Sequence, residues 1–183
     1  YEIKDTLRAL FNSDFFKEAA FEKVKNPVEV VVGTMNLIGD HKGVPKPGLI
    51  AVGFEPGYMG QDILVPPSVE GWNTGSEWID TGALVRRINF VADRVGDLDM
   101  PGVRDIVNRV RSQGDIAPDQ LVESCLDLMG PVQTTDQTRG QLLDLAEQGG
   151  TMRWGTKEES SSSARRVADM LSVIAASREY QFG

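Results

Sequence analysis

Five times along this chain an apolar stripe at helical spacing runs into a glycine, and that recurrence leaves little room for a sheet. Val28, Val31, Val32, Met35 and Ile38 precede Gly39, and Leu84, Ile88, Val91 and Val95 precede Gly96. Val103, Ile106, Val107 and Val110 lead to Gly114, and Leu121, Val122, Cys125, Leu128 and Met129 end at Gly130. Leu142, Leu143 and Leu145 lead more weakly towards Gly149. Residues three and four apart share one face of a helix, whereas a strand needs strict alternation. A glycine just past a helix reaches the left-handed conformation that closes the last turn at little steric cost. The pattern predicts an all-α fold, an irregular multi-helix bundle.

The helix starts agree. Asn26-Pro27-Val28-Glu29 supplies a capping side chain, a proline at the first helical position and a glutamate able to reach back to the cap. Val30-Val31-Val32 alone reads as a strand, but the capping box and the 3.6-residue period overrule it. Asp99 before Pro101, Ala117-Pro118 and Thr135-Asp136 mark three further starts. A final helix is predicted over 161–177, with Val167, Met170, Leu171 and Ile174 inward, after a polar loop at 158–163. Leu7, Leu10 and Phe11 predict a short helix, and Ser13 caps another that carries Phe15 and Phe16. At 183 residues the chain is long enough for one well-buried core, so 1–183 is read as a single helical domain.

One region departs from the pattern. Between Gly39 and Thr81 the chain holds Pro45, Pro47, Gly48, Pro56, Gly57, Gly60, Pro66, Pro67, Gly71 and Gly75, together with Trp72 and Trp78. A structureless loop of that length is unusual in a compact domain. Short helices are therefore expected near 49–54 and 58–64, with an ordered Pro/Gly/Trp-rich loop at about 65–80.

Composition excludes several classes of function. The net charge of -8 repels a phosphate backbone unless a basic face is segregated, and the densest basic stretch, Arg104, Arg109 and Arg111, reads as a solvated helix face. Nucleic acid is therefore not an expected partner. One cysteine and one histidine leave no Cys/His zinc cluster and no internal disulfide. A single cysteine fits a cytosolic protein and an exported one alike. No apolar run approaches the roughly 18 residues that span a bilayer, so no transmembrane segment is expected. The chain begins at Tyr1 with neither an initiator Met nor a signal region, and it is expected to be a portion of a longer protein.

The candidate site residues are few. Trp72 and Trp78, with Glu70, Glu77 and Asp80 as polar contacts, could form an aromatic platform for a sugar ring or a partner side chain. Tryptophan is highly buried on average, and the preferred reading is that both indoles bury the loop against helices. Asp62, Glu70, Glu77 and Asp80 could supply the two carboxylates of a glycosidase, but acids on a surface are common. His41 lies in an exposed turn without a local nucleophile, and Cys125 sits in an apolar stripe, so neither is read as catalytic. Asp97, Asp99 and Gly102 do not make an EF-hand, since Pro101 intervenes and Asn108 stands where the closing glutamate belongs. Looser calcium binding by Asp93, Asp97 and Asp99 yields to helix capping by Asp99. Arg87, the remaining candidate binding residue, is expected to pair with a buried carboxylate or to hydrogen-bond the tryptophan loop, a structural role preferred to anion binding. No metal or cofactor is expected.

The irregular region also carries a resemblance. Val24 to Val32, Met59-Gly60-Gln61-Asp62-Ile63-Leu64, Pro66-Pro67-Ser68-Val69-Glu70-Gly71-Trp72, Gly75, Trp78-Ile79 and Leu84 to Phe90 follow in an order similar to the C-terminal part of the bacterial domain of unknown function 1800 family. The ending Ala176-Ser177-Arg178-Glu179-Tyr180-Gln181 is similar too, except that Arg178 stands where a proline is usual. The resemblance implies a mainly helical protein, usually much longer and usually exported, and it transfers no active site. Pro27, Glu29, Gly60, Gln61, Pro66, Pro67, Gly71 and Asn89 are the motif residues, and an architectural role is expected of them. The leading functional expectation is a structural or interaction module of an exported or cell-envelope-associated bacterial protein. Its expected partner is the N-terminal portion of the same precursor or a larger envelope assembly. The alternative is a hydrolase or polysaccharide-binding domain with a cleft beside Trp72 and Trp78.

Overall fold

Between Lys157 and Ala176 the inward positions are Ser163, Val167, Ala168, Met170, Leu171, Ile174 and Ala175, and all are buried. This helix, α10, packs against more elements than any other among the described residues. The computed structural model describes residues 2–41 and 48–183, so Pro45 and Pro47 of the irregular region lie outside the described residues. Nine further α-helices precede α10 among the described residues: α1 (Ile3–Asn12), α2 (Asp14–Glu18), α3 (Pro27–Ile38), α4 (Leu49–Val52), α5 (Glu55–Tyr58), α6 (Thr81–Val95), α7 (Pro101–Arg111), α8 (Pro118–Met129) and α9 (Asp136–Gln148). Short 3-10 turns cover Gly75–Trp78 and Glu179–Gln181. No strand occurs among the described residues, only isolated bridges such as Val24 with Phe182 and Ile116 with Met152. The fold is all-α.

Helix α10 packs on α6, α7, α8 and α9, while α3 lies on α6, α5 and α7. One continuous core results, with Val31 and Ile38 of α3, Phe90 and Val91 of α6, Val103 and Val110 of α7, Leu121 and Cys125 of α8, and Leu142 of α9. The α6–α10 contact is close: Ser172 Oγ donates to Ala92 O at 3.0 Å, and a Cβ on Gly96 would stand 2.7 Å from that hydroxyl.

The capping box of α3 forms as the sequence predicts, with Asn26 Oδ1 accepting from Glu29 N at 2.9 Å and Glu29 Oε2 accepting from Asn26 N at 2.8 Å. Thr135 caps α9, and Ser13 caps α2. Other details differ from the sequence reading. Asp99 caps nothing; Met100 precedes α7, and the Asp97 carboxylate accepts from Asp99 N instead. Helix α10 begins at Lys157 because Thr156 and Glu159 form a capping box, so residues 158–163 are helix rather than loop. Within α3, Val30 faces the core and Val32 is half-exposed. The second short helix of the irregular region ends at Tyr58, where 58–64 was expected, because Pro56 favours a helix start at the residues around it. Of the five glycine endings only Gly39 is a left-handed cap at the helix end itself, whereas Gly96 and Gly149 stay right-handed.

Gly102, in the first turn of α7, presses on the end of α3. A Cβ there would lie 1.9 Å from Leu37 O and 2.9 Å from the Ile38 carbonyl carbon, both backbone atoms that cannot swing away. Gly102→Ala is expected to destabilise the fold by about 2–3 kcal/mol through forced separation of α3 and α7. Urea unfolding followed by far-UV circular dichroism measures it; an unchanged midpoint would show that the two helices part freely.

Candidate functional site

The segment from Gln61 to Asp80 is tied down by its own polar groups. Gln61 Oε1 accepts from Val28 N in the first turn of α3 at 3.0 Å. Gly60 and Gly71 hold φ values of 96° and 104°, which explains glycine at both positions. Trp72 is partly buried, and its Nε1 donates to Asp62 O at 3.0 Å. Glu77 Oε2 accepts from Thr74 N at 3.0 Å as part of a capping box on the 3-10 turn, and Asp80 Oδ1 accepts from Ala83 N at 2.8 Å to cap α6. Trp78 is 5% exposed. Pro66, Pro67, Glu70 and Glu77 are exposed, as are Gly60 and Asn89.

Arg87 on α6 gathers these pieces. It is fully buried at 0% exposure and faces three neutral acceptors. Its Nε donates to Gln181 Oε1 at 3.0 Å, its Nη1 to Trp78 O at 3.4 Å and its Nη2 to Lys25 O. Of the two roles expected for Arg87, the structure shows the hydrogen bond to the tryptophan loop and, among the described residues, no carboxylate pair. Burial pulls the Arg87 pKa below its ordinary value, and the charge of Glu29 opposes that shift. Lys25 sits beside it with its pKa lowered by burial and by the Arg87 charge, against the pull of Glu29. Its Nζ donates to Tyr180 O at 2.8 Å and lies 4.4 Å from the centre of the Tyr180 ring. Burial pushes the Tyr180 phenol up to about 12. Burial of Glu29 would raise its pKa, but the hydrogen bond from Lys23, the Asn26 N–H and the Lys23 and Lys25 charges outweigh it and hold the carboxylate low.

The same C-terminal stretch caps α9. Glu179 Oε1 accepts from Thr135 N at 3.2 Å, Thr135 Oγ1 at 3.0 Å and Thr138 Oγ1 at 2.7 Å. Partial burial would raise the Glu179 pKa, but these bonds together lower it. Pockets of about 510 and 500 Å³ flank this contact, lined by residues such as Phe21, Gln133, Arg178 and Gln141; neither touches Trp72 or Trp78.

Chemistry is sparse in this arrangement. Burial drives the Cys125 thiol up to about 12, so it is no nucleophile near neutrality. His41 Nδ1 lies 3.0 Å from Met35 O at the end of α3. Among the described residues no group of three His, Cys, Asp or Glu side chains could hold a metal ion, Asp93, Asp97 and Asp99 included. No helix among them is long and apolar enough to cross a membrane. The sequence reading found Arg87 but missed Lys25, Tyr180 and Gln181 as its companions. Gln181 lies 94 residues from Arg87, and only its place in the C-terminal motif hinted at a role.

The described residues form an all-α fold with a buried polar junction at Arg87, to which the end of the tryptophan loop is hydrogen-bonded. The chain belongs to the family described as "Protein of unknown function (DUF1800)", whose model matches residues 1–182. No curated protein and no solved structure matches it significantly.

Two outcomes follow from this geometry. Arg87→Met leaves two buried acceptors and one part-buried acceptor without this donor and is expected to cost on the order of 3 kcal/mol in urea unfolding. A loss below about 0.5 kcal/mol would mean that the junction is not structural. Because the Glu179 pKa is lowered on folding, its contribution is present above the ordinary carboxylate range and is lost as pH falls through the folded value. Glu179→Gln is therefore expected to destabilise by about 1 kcal/mol at pH 7. That difference should shrink as acid protonates the wild-type carboxylate. Paired thermal melts from neutral pH down into the carboxylate range test it.

Proposed function

We propose that this chain is a helical interaction module of an exported or envelope-associated bacterial protein, acting through contacts with other protein surfaces. The observation that carries this reading is the helical arm α1–α2. Neither helix contains a buried residue. The arm nevertheless carries Ile3 and Phe15 at 76% exposure, Phe11 at 52% and Leu7, Leu10 and Phe16 only somewhat less open. Helix α1 packs chiefly on α2, with Phe11 and Phe16 edge to face at 5.0 Å. An amphipathic pair whose apolar face is left uncovered by the described residues is a surface shaped for a second protein. That partner is the remainder of a longer precursor or another member of an envelope assembly. Family membership supports the envelope setting only through the usual export of such proteins.

The hydrolase and polysaccharide-binding alternatives have less support. Trp78 is buried, the Trp72 indole N–H is already bonded to Asp62 O, and Glu77 and Asp80 are engaged in capping. An open aromatic platform with paired acids needs these groups free.

Leu7→Glu with Phe15→Glu removes the apolar face without touching the core. Its thermal midpoint is expected to move by no more than about 2 °C, since surface substitutions change stability by roughly 0.5 kcal/mol or less. Cross-linking of the protein to its partner in the producing cells is expected to disappear. If the unaltered protein yields no cross-linked partner and behaves as a monomer, the reading fails.

A further inference from the structure

Residues 62–72 form a short loop closed on itself. The Trp72 Nε1 to Asp62 O bond ties its ends, and Gly71 N donates to Ser68 O at 3.1 Å across its tip. Leu64 holds a φ of 68°, a left-handed conformation that bulky residues rarely adopt. The fixed backbone turns its apolar side chains outward: Leu64 is 87% exposed, Val69 106%, and Val65 and Ile63 are also open. Pro66 and Pro67 stiffen the span between them. A rigid apolar tip of this kind loses little conformational entropy when it is covered.

Charge narrows what can cover it. From Gly48 to Val85 the sequence holds no lysine or arginine, and it holds Glu55, Asp62, Glu70, Glu77 and Asp80. Arg86 takes Glu55 at 2.7 Å. The other four carboxylates are in no salt bridge among the described residues; Lys42 and Lys46, the nearest cations upstream, lie outside them. An anionic bilayer is repelled by such a rim, and so is a second copy of a chain whose net charge is -8.

We propose that the 62–72 loop docks into a protein partner presenting an apolar pocket rimmed by lysine or arginine. The proposal rests on the interaction-module reading and names the chemistry of one partner surface. Leu64, Val65 and Val69 enter the pocket, while Asp62 and Glu70 at the two ends of the loop face the cationic rim. Complementary charge at the rim sets the partner and the association rate, and salt weakens it.

The test places a photo-reactive benzoylphenylalanine at Val69, or separately at Phe15 of the arm, in the whole protein within the cells that make it. The cross-linked peptides are then sequenced. The adduct at position 69 is expected on a protein segment where apolar residues are flanked by lysine or arginine, and Asp62→Lys with Glu70→Lys is expected to lower its yield at least about fivefold. Glu70→Lys alone is scored if the double variant melts differently from the parent. No adduct, an adduct on lipid, on another copy of this chain or on a segment without basic residues, or a yield indifferent to charge reversal overturns the proposal. A protein adduct at position 15 with none at 69 overturns it while sparing the interaction-module reading, and silence at both positions removes both. Purified protein should also ignore vesicles of phosphatidylcholine alone and with phosphatidylglycerol; binding that Val69→Ser abolishes would reassign the tip to membranes and overturn the proposal.

Discussion

A buried guanidinium that meets no carboxylate holds the irregular part of this fold to the regular part. Removing a charge from water is costly, and a buried arginine persists only where its donors are used. Arg87 meets that condition with acceptors from three separate stretches: Lys25 before α3, Trp78 at the end of the loop, and Gln181 after α10. The planar fork makes the arrangement directional, which a lysine at the same place could not do. Each acceptor fixes the path of a segment that has little other regular structure to guide it. The tryptophan loop is anchored at its end by the junction, where the carbonyl of buried Trp78 accepts from Arg87.

The body and its exposed surfaces follow different rules. Around α10 the core is continuous, and its members come from every long helix of the body. Outside it, the arm α1–α2 and the 62–72 loop keep large apolar side chains in water, although each is locally well formed. Local order without burial separates these two surfaces from a merely unfinished core. The motif residues Pro27, Glu29, Gln61 and Gly71 serve the same local order: Pro27 and Glu29 start α3, Gln61 binds its first turn, and Gly71 closes the loop tip.

Helix content and most of the core were legible from the sequence because both depend on residues three or four apart. The stripe Val103, Ile106, Val107 and Val110 is buried throughout, and the Asn26–Glu29 box is formed as drawn. What escaped was set by longer range or by competition between caps. Thr156 with Glu159 outcompetes a start at Ser161, and Met100 rather than Asp99 precedes α7 because Pro101 fixes the first turn there. The spacing of a glycine after a stripe shows where a helix stops but not by which conformation, as right-handed Gly96 shows. The junction itself was half legible. Arg87 stood out as a cation on a helix with an inward apolar stripe, but its acceptors are two backbone carbonyls and one side-chain amide, groups that every chain has in abundance.

The bonds between residues 23–25 and 181–183 have a consequence in time. Lys25 N donates to Gln181 O and Gly183 N to Lys23 O, so the two stretches lie side by side although more than 150 residues separate them. Closing so long a loop comes late in folding, after local helices have formed. On the ribosome, Arg87 and Lys25 emerge well before Gln181, so the last acceptor of the guanidinium to be synthesised is the Gln181 amide. The helices of this protein can therefore form as they are synthesised, whereas the junction that locks them becomes complete only once Gln181 has emerged.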